Sequence, residues 1–240
     1  NYNVCPNVRF FGTPPTDGCF REYVVWPVPL LLPVPDSLTL DEAAMTEPLA
    51  VGIHAVNLAA IKPGETAAIL GSGAIGLSVL QPLKLAGAGK VLVTDPIEAR
   101  RNLASKLGAD VTCGPAEALA AANEITNGRG FDVVFECAGD VEAVRDTSRL
   151  AKVLGRVVIV GIPREDEYTF DAGTTRRKQL SAVFVRRSNL TTERAIELVE
   201  DKKIDVLSYI THTFPLEQAG EALAFAESKT DGVLRAVIQL

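Results

Sequence analysis

Short apolar runs alternate with helix-length amphipathic segments along the chain from about residue 49 onward. The predicted strands are the runs at residues 66–70, 90–94, 109–112, 131–136, 156–160 and 179–185. Predicted helices lie between them at residues 74–86, 97–107, 116–125 and 142–151. The strand runs are apolar at successive positions, which is typical of strands covered on both faces. This alternation predicts an α/β fold with a doubly wound, six-stranded parallel sheet.

The two ends of the chain have a different texture. Prolines concentrate in residues 1–48, where a strand-like segment at 20–25 indicates irregular, β-leaning structure. After the last strand of the sheet, the pattern predicts helices at 192–201 and 216–228 and a closing strand at 232–238. We therefore divide the chain into residues 1–48, 49–185 and 186–240.

The turn after the first predicted strand has the spacing G-x-G-x-x-G. Gly71 allows the tight turn, Gly73 lets a pyrophosphate approach the backbone, and Gly76 lets the following helix pack on the strand. That helix begins near Ala74 and presents its first amides to the phosphates. The motif alone is weak evidence, but a buried strand before it and an apolar helix after it are the context that a dinucleotide-binding turn requires.

An acidic residue ends the second predicted strand. Asp95 follows Gly76 by 19 residues, where a carboxylate can accept hydrogen bonds from the adenosine ribose. The same charge repels a 2′-phosphate, which favours NAD over NADP. The alternative interpretation of Asp95 is an ordinary helix N-cap before Pro96. Arg100, further along the next helix, would cover the adenine or serve a phosphate.

Small residues end two later strands of the predicted sheet. Cys137 follows the fourth strand, and Val160, Gly161 and Ile162 follow the fifth. Ligands of open α/β sheets lie beyond the carboxyl ends of the strands, so we expect these residues to border the nicotinamide half of the cofactor. Cys137 is interpreted as a small buried residue, because nothing near it in the sequence would activate its thiol.

Composition and charge narrow the classes of partner. The 240 residues are 47% hydrophobic and 22% charged, as in an ordinary globular protein. A net charge of −6 with only short basic runs argues against a nucleic-acid partner. No apolar stretch reaches the roughly 18 to 20 residues of a membrane span, so no membrane partner is expected. The four cysteines lack CxxC spacing and the start is unlike a secretory signal, which indicates a reducing, cytoplasmic setting.

Several segments outside the glycine turn make the sequence resemble a known family. They are Cys5-Pro6-Asn7, Phe10-Phe11-Gly12-Thr13-Pro14-Pro15, Glu47-Pro48-Leu49-Ala50-Val51-Gly52-Ile53-His54-Ala55 and Lys62-Pro63-Gly64. With the glycine motif and Asp95, they resemble the zinc-dependent medium-chain dehydrogenases and, within them, the sorbitol/xylitol (polyol) dehydrogenases. The resemblance covers essentially the whole chain. It implies a Rossmann domain together with the remnant of a GroES-like, β-rich catalytic domain at 1–48, to which residues 186–240 return.

The resemblance also implies a reaction and roles for named residues. A polyol would be oxidised with NAD as the hydride acceptor, while a zinc ion acts as a Lewis acid on the substrate hydroxyl. Glu47 would be the carboxylate beside that zinc, and Phe11 and Thr13 would line the substrate pocket. The segment at 184–189 falls, with a spacing that differs by one or two residues, where the family places an arginine that contacts the polyol. Arg186 or Arg187 can take that role, or Val185 can displace it. The implied NAD contacts are Gly71, Gly73, Ala74, Ile75, Gly76, Asp95, Arg100, Cys137, Val160, Gly161, Ile162, Phe184 and Val185.

The zinc ligands of the family are incomplete in this sequence. Cys5 matches the last of four structural-zinc cysteines, and Glu47 alone cannot hold a catalytic zinc, which takes three protein ligands. We therefore predict that this chain binds no zinc. His54 lies in an apolar helix predicted to begin near Pro48 and is interpreted as structural or at the cofactor edge. His212, in a predicted loop, is interpreted as a surface or interface residue.

Three hypotheses for function follow. The first is an NAD-linked, zinc-type polyol dehydrogenase of which this chain is the C-terminal two thirds, with threonine or another alcohol as an alternative substrate. The second is an NAD-binding chain without zinc or turnover, and the third is a zinc-free reductase of the same superfamily. By analogy with the family, we expect a homodimer or homotetramer in which the strand at 179–185 pairs across a two-fold axis.

Overall fold

Six short strands form one parallel sheet in this computed structural model, which describes residues 1–228 and 232–239. The strands are β1 Ala67–Leu70, β2 Val91–Thr94, β3 Val111–Cys113, β4 Phe131–Glu136, β5 Ala151–Ile159 and β6 Ser181–Phe184. All neighbours pair in parallel, in the order β3-β2-β1-β4-β5-β6. The predicted doubly wound Rossmann sheet is therefore confirmed, and its strand order reverses between β1 and β4.

Helices cover both faces of the sheet. They are α1 Leu40–Ala59, α2 Ala74–Leu85, α3 Glu98–Lys106, α4 Ala118–Thr126, α5 Val141–Leu150, α6 Ala172–Lys178, α7 Thr192–Glu200 and α8 Ala219–Ser228. Alternate strand residues enter two apolar clusters: Ile69 packs with α1, α2 and α7, whereas Ala68 and Leu70 pack with α4 and α5. Burial on both faces explains why β1, β2 and β4 read as continuous apolar runs.

Helix α1 begins eight residues earlier than the sequence pattern predicted. It has a capping box, in which the Glu42 amide donates to Thr39 Oγ1 (3.1 Å) and the Thr39 amide donates to Glu42 Oε2 (2.9 Å). The predicted start near Pro48 is therefore wrong, and Glu47 lies inside the helix. The proposed division of the chain between residues 48 and 49 falls within α1; that division stays a prediction.

The N-terminal segment contains little regular structure. Residues 20–25 form no strand, so this prediction is wrong: Val25 is 97% exposed, and a strand requires a neighbour to pair with. Two short 3₁₀ turns, Tyr2–Val4 and Val28–Leu30, are the helical elements before α1 in the described chain. No helix among the residues that the structure describes combines the length and the apolar character needed to cross a membrane.

The C-terminal segment forms a second, two-stranded parallel sheet from β7 Ile210–Pro215 and β8 Arg235–Gln239. The predicted loop around His212 is therefore wrong: His212 lies in β7, and its ring meets the Phe225 ring of α8 at a centroid distance of 4.6 Å. The predicted closing strand at 232–238 is present over Arg235–Gln239. Residues 232–234, the first part of that prediction, are not in a strand. The preceding residues 229–231 lie outside the described residues.

Candidate functional site

A crevice of about 530 Å³ lies beyond the carboxyl ends of β1, β2 and β4, where the strand order reverses. Five predicted site residues line it, namely Gly71, Gly73, Asp95, Arg100 and Cys137. The remaining lining residues are Leu70, Thr94, Pro96, Ile97, Pro115, Ala118, Ala138, Asp140, Glu142, Ala143 and Asp146. Residues that the sequence placed on separate strand ends thus meet at one concave site, the location where doubly wound sheets bind ligands.

The glycine turn between β1 and α2 opens toward this crevice. Gly71 has a φ of +97°, and a Cβ atom there would lie 2.9 Å from the Ala138 amide nitrogen. A Cβ atom on Gly76 would lie 1.9 Å from the Gly71 carbonyl oxygen, so the helix packs on the turn only with glycine at this position. At Gly73, by contrast, none of the described atoms outside the residue and its two chain neighbours lies within 4 Å of a Cβ position. Because this N-cap residue has no side chain, the first amides of α2 remain available to an anion.

Asp95 joins the end of β2 to the glycine turn. Its Oδ2 accepts a hydrogen bond from the Ser72 amide (2.8 Å), and its Oδ1 accepts one from the Ile97 amide (2.9 Å). The residue is only 4% exposed but lines the crevice. The N-cap of α3 is Ile97, so Asp95 is not the ordinary N-cap of the alternative interpretation. A carboxylate oxygen can accept two hydrogen bonds, so each oxygen of Asp95 still has acceptor capacity for a ribose hydroxyl.

Two ionisable groups lie at the end of β4: the fully buried Glu136 and, directly after it, the partly buried Cys137. Burial raises the pKa of the Cys137 thiol well above its ordinary value, and the neighbouring Glu136 charge raises it further. Cys137 is therefore no thiolate nucleophile near neutral pH. Burial also raises the pKa of the Glu136 carboxyl, against the opposing effect of hydrogen bonds from the Gly139 and Ala138 amides.

The turn after β5 lies against the turn after β4. The Gly161 amide donates to the Glu136 carbonyl oxygen at 3.0 Å, and the Tyr168 hydroxyl donates to the Gly161 carbonyl oxygen at 3.1 Å. The Tyr168 ring in turn meets the Phe184 ring at 5.3 Å. Eight predicted NAD contacts are not among the lining residues of the crevice, so their contacts stay predictions: Ala74, Ile75, Gly76, Val160, Gly161, Ile162, Phe184 and Val185.

The predicted substrate residues form a second group, separate from the crevice lining. Arg187 donates from Nη2 to Thr13 Oγ1 at 2.8 Å, and its guanidinium lies 4.4 Å from the centre of the Phe10 ring. Arg186 also lies over Phe10, at 5.3 Å, but has no bond to Thr13. The Phe11 ring packs on Trp26 at 4.4 Å. Of the two arginines, the structure joins Arg187 to Thr13.

The candidate zinc residues do not come together. Glu47 is exposed on α1, and Cys5 is exposed in the N-terminal segment. Burial lowers the pKa of His54, which is half-buried in α1. Within residues 1–228 and 232–239, no group of three or more His, Cys, Asp or Glu side chains is placed to hold a metal ion. The described residues thus do not fit a zinc site, and the absence of bound zinc stays a prediction.

Sequence reasoning missed residues that act through tertiary contacts. Asp140 lines the crevice and caps α5 through hydrogen bonds from the amides of Glu142 (2.9 Å) and Ala143 (3.2 Å). The spacing of an aspartate before an amphipathic helix was a signal for it. Tyr168 lies in an irregular loop, and no periodicity in the sequence indicated its contact with the turn after β5.

Comparison with known proteins agrees with this geometry. Residues 74–201 match the model of the zinc-binding dehydrogenase family. A sorbitol dehydrogenase of Bacillus subtilis (strain 168) is 34% identical over 224 residues, which are 92% of this chain and 64% of that protein. The chain thus spans less than two thirds of the length of this relative.

Solved structures give the same result. An oxidoreductase of unknown specificity from Escherichia coli superposes with a TM-score of 0.93 at 30% identity, over 100% of this chain and 70% of that one. A protein of Sinorhizobium meliloti 1021, solved with NADP bound, has a TM-score of 0.88 at 33% identity, over 99% of this chain and 70% of that one. The family match covers more than half of the chain, so the resemblance seen in the sequence is confirmed: the chain belongs to the zinc-binding dehydrogenase family.

Proposed function

We propose that this chain supplies the cofactor site of an NAD-dependent polyol dehydrogenase, which oxidises a secondary alcohol of a sorbitol- or xylitol-like substrate to a ketone. The observation that carries the proposal is the crevice in which the open face of Gly73 and the first amides of α2 meet the carboxylate of Asp95. When bound, NAD accepts the hydride that leaves the alcohol carbon.

Different residues of the crevice would bind the pyrophosphate, the adenosine ribose and the adenine of NAD. The turn at Gly71 and Gly73 would hold the pyrophosphate through backbone amides at the start of α2. Asp95 would accept from the adenosine ribose while it also holds the Ser72 amide, so ribose binding and turn geometry depend on the same carboxylate. Arg100, whose Nη2 donates to the Val233 carbonyl oxygen at 2.7 Å, would cover the adenine with its guanidinium plane.

A preference for NAD over NADP is part of the proposal. Asp95 places a buried negative charge where a 2′-phosphate would have to lie, and Asp140, Glu142 and Asp146 add carboxylates along the same crevice. The Sinorhizobium relative was solved with NADP, so family membership alone leaves the choice of cofactor open. The charge of the crevice favours the cofactor that lacks the phosphate.

The polyol assignment has separate support. The sorbitol dehydrogenase of Bacillus subtilis is a relative, and Arg187 and Thr13, two residues to which the resemblance gives a substrate contact, are joined by a hydrogen bond. We propose Arg187, rather than Arg186, as the arginine that meets the polyol. Because the described residues do not assemble a zinc site, no step is assigned to a metal.

Two further expectations belong to the same proposal. The edge position of β6 in the sheet supports a homodimer or homotetramer built by strand pairing, and a monomeric mass in light scattering would contradict it. Four unpaired cysteines are compatible with the reducing, cytoplasmic setting indicated by their spacing.

Calorimetry with NAD and with NADP tests the cofactor assignment. We expect NAD to bind at least about 10-fold more tightly, with Asp95→Asn narrowing that ratio because it removes the charge that faces the 2′-phosphate. Equal affinities for the two cofactors in the unaltered chain would contradict the role of Asp95. Absence of binding to either would overturn the whole proposal.

Turnover is tested by NADH absorbance with sorbitol, xylitol or L-threonine, each with and without added zinc. Reduction of NAD by the two polyols supports the polyol assignment, and turnover of threonine alone contradicts it. Binding of NAD without any turnover supports the alternative that this polypeptide holds the cofactor but does not react.

A further inference from the structure

Glu136 is a fully buried acid directly behind the crevice. It is the last residue of β4 and is 0% exposed. Its Oε1 accepts hydrogen bonds from the amides of Ala138 (2.7 Å) and Gly139 (2.8 Å). Ala138 lines the crevice, so this side chain fixes the backbone of one crevice wall. Charge-assisted hydrogen bonds of this length are the stronger ones in proteins.

The same residue also joins this wall to the next strand. The backbone carbonyl of Glu136 accepts from the amides of Val160 (2.9 Å) and Gly161 (3.0 Å), which begin the turn after β5. Its second carboxyl oxygen, Oε2, is buried without a hydrogen-bond partner among the described residues. That oxygen lies so close to Gly161 that a Cβ atom there would be 2.4 Å from it and 2.3 Å from the Gly139 amide nitrogen.

The sheet order determines which end of a dinucleotide meets these two turns. With the adenosine at the end of β2 and the pyrophosphate at the end of β1, the remaining half extends over β4 and β5, on the other side of the switch point. A buried acid with one unpaired oxygen is costly, and such a group persists where the surrounding structure requires its geometry.

We propose that Glu136 is a positioning residue for the nicotinamide end of the cofactor, which acts by locking the turns at 137–139 and 160–162 to each other. The proposal rests on the proposed function, because it assumes a dinucleotide in the crevice. Glu136 itself does not reach the crevice surface, so its effect passes through the backbone of Ala138, Gly139 and Gly161. These contacts of Glu136 are separate from those of the glycine motif and of Asp95.

Two ligands separate this role from a general structural one. ADP-ribose carries the adenosine, the pyrophosphate and a ribose but no nicotinamide, whereas the fluorescence of NADH reports the surroundings of the nicotinamide ring. Glu136→Gln keeps an acceptor oxygen for the two amides, and Glu136→Met fills a similar volume without one. Asp132→Asn, a buried acid at the opposite end of the same strand, is the matched control for lost stability.

We expect Glu136→Met to weaken NADH binding about 10-fold and to shift the emission of bound NADH toward that of free NADH, since two buried amides lose their acceptor. ADP-ribose affinity should change less than about 2-fold, because the ends of β1 and β2 are untouched. Glu136→Gln should rescue NADH binding to within about 3-fold of the unaltered chain. Asp132→Asn should leave the ratio of the two affinities unchanged.

Equal weakening of NADH and ADP-ribose in Glu136→Met would overturn the proposal, as would a Gln variant that behaves like the Met variant. If the Met variant does not fold, Gly161→Ala tests the same contact from β5, because its new Cβ atom presses on Gly139 and Glu136. It should lower NADH affinity selectively, and a uniform loss would again contradict us. An unaltered chain that binds neither ligand refutes the proposed function, whereas binding of both with no selective loss refutes only this inference.

Discussion

The two ends of the six-stranded sheet treat their polar groups in opposite ways. At the amino end, the Asp132 carboxylate accepts from the Thr66 amide (2.9 Å) and hydroxyl (2.7 Å) and pairs with Lys152 and Arg129. At the carboxyl end, buried atoms of Ser72, Arg100 and Glu136 have no hydrogen-bond partner among the described residues. The amino end engages its carboxylate fully, whereas the carboxyl end combines bonded carboxylates, Asp95 and Glu136, with polar atoms that have no partner among the described residues.

This difference separates stability from binding within one sheet. Six buried side chains among the described residues have an atom without a hydrogen-bond partner, and three of them lie in or behind the crevice wall. Because buried polar groups are almost always satisfied, these three indicate a place where another molecule supplies partners or where geometry is held under strain. Substitutions at the amino end should therefore change the free energy of unfolding and spare ligand affinity. Substitutions at the carboxyl end should lower ligand affinity, and at Gly73, where a Cβ atom has open space, they should also spare the free energy of unfolding.

The largest expected effect is at Gly73, which lines the crevice and has open space for a Cβ atom. Apart from Gly73 and its chain neighbours, none of the described atoms lies within 4 Å of a Cβ position there. We expect Gly73→Val to weaken NAD binding by about 100-fold, equivalent to about 2.7 kcal/mol, because its methyl groups occupy the approach of the pyrophosphate. The free energy of unfolding should change by less than about 1 kcal/mol, as for an ordinary N-cap exchange. Calorimetry and denaturant unfolding measure the two quantities.

Gly220 provides the matched control, since it too has open space around its Cβ position but lies in α8, outside the crevice lining. Gly220→Val should leave NAD affinity unchanged. If Gly73→Val bound NAD normally, the pyrophosphate would lie elsewhere. The claim that the carboxyl end of the sheet serves binding would then be contradicted.

The sequence predicted the central part of this molecule well because its signals are local. The glycine spacing, the apolar strands and the acid at the end of β2 each follow from neighbouring residues, and the sheet order and crevice agree with them. The failures have tertiary causes. Residues 20–25 have strand composition but no partner strand, whereas His212 entered a strand because β8, distant in sequence, pairs with β7.

Helix α1 shows a failure of a different kind. The sequence pattern predicts a helix start at Pro48, but the helix begins at a capping box formed by Thr39 and Glu42. Pro48 lies inside the helix, where proline is normally disfavoured, because tertiary packing stabilises the helix there. The contacts that Glu136 makes with the turns after β4 and β5 could not be predicted, because they depend on how closely these two turns approach each other. Contacts of that kind leave no periodicity in the sequence.

The next largest effect is expected at the amino end, on stability. Asp132 is 5% exposed; its Oδ2 faces Thr66 and its Oδ1 faces Lys152, and Asp132→Asn replaces one of these two acceptor oxygens by an amide group that donates. We expect the free energy of unfolding to fall by about 2 kcal/mol, as when a buried charged network loses one partner. NAD affinity of the folded protein should be unchanged. A variant that lost affinity as well would show that the two ends are coupled.

Acid titration sharpens the same prediction. Burial alone would raise the pKa of Asp132, but hydrogen bonds from Lys152 and Thr66 outweigh it and hold that pKa well below its ordinary value. The lowered pKa contributes stability that is present above the unfolded-state pKa of about 3.9 and lost as the pH falls from there toward the folded-state value. Denaturant unfolding from neutral pH to below pH 4 should therefore show a steeper loss in the unaltered chain than in Asp132→Asn. Parallel curves would assign the acid sensitivity to other carboxylates.

The smallest effect concerns Lys178, which closes the C-terminal end of α5. Its Nζ donates to the carbonyl oxygens of Ser148 (2.9 Å), Arg149 (2.8 Å) and Ala151 (2.6 Å), and these are among the carbonyls that a helix end leaves unpaired. Lys178→Met keeps the aliphatic stem but removes the charge, so we expect a loss of about 1 kcal/mol in the free energy of unfolding.

Arg176→Met is the control for Lys178, because it removes an exposed cation from the same last turn of α6. Its effect on unfolding should stay within about 0.5 kcal/mol, as at ordinary surface positions. Equal losses in the two variants would mean that the cationic character of α6, rather than the capping of α5, stabilises the protein. Helix α5 follows β4, begins at the crevice with Asp140 and is capped at its C-terminal end by Lys178. A loss of stability in Lys178→Met alone, with unchanged affinity for NAD, would therefore show that this helix, like the sheet, has one end for binding and one for stability.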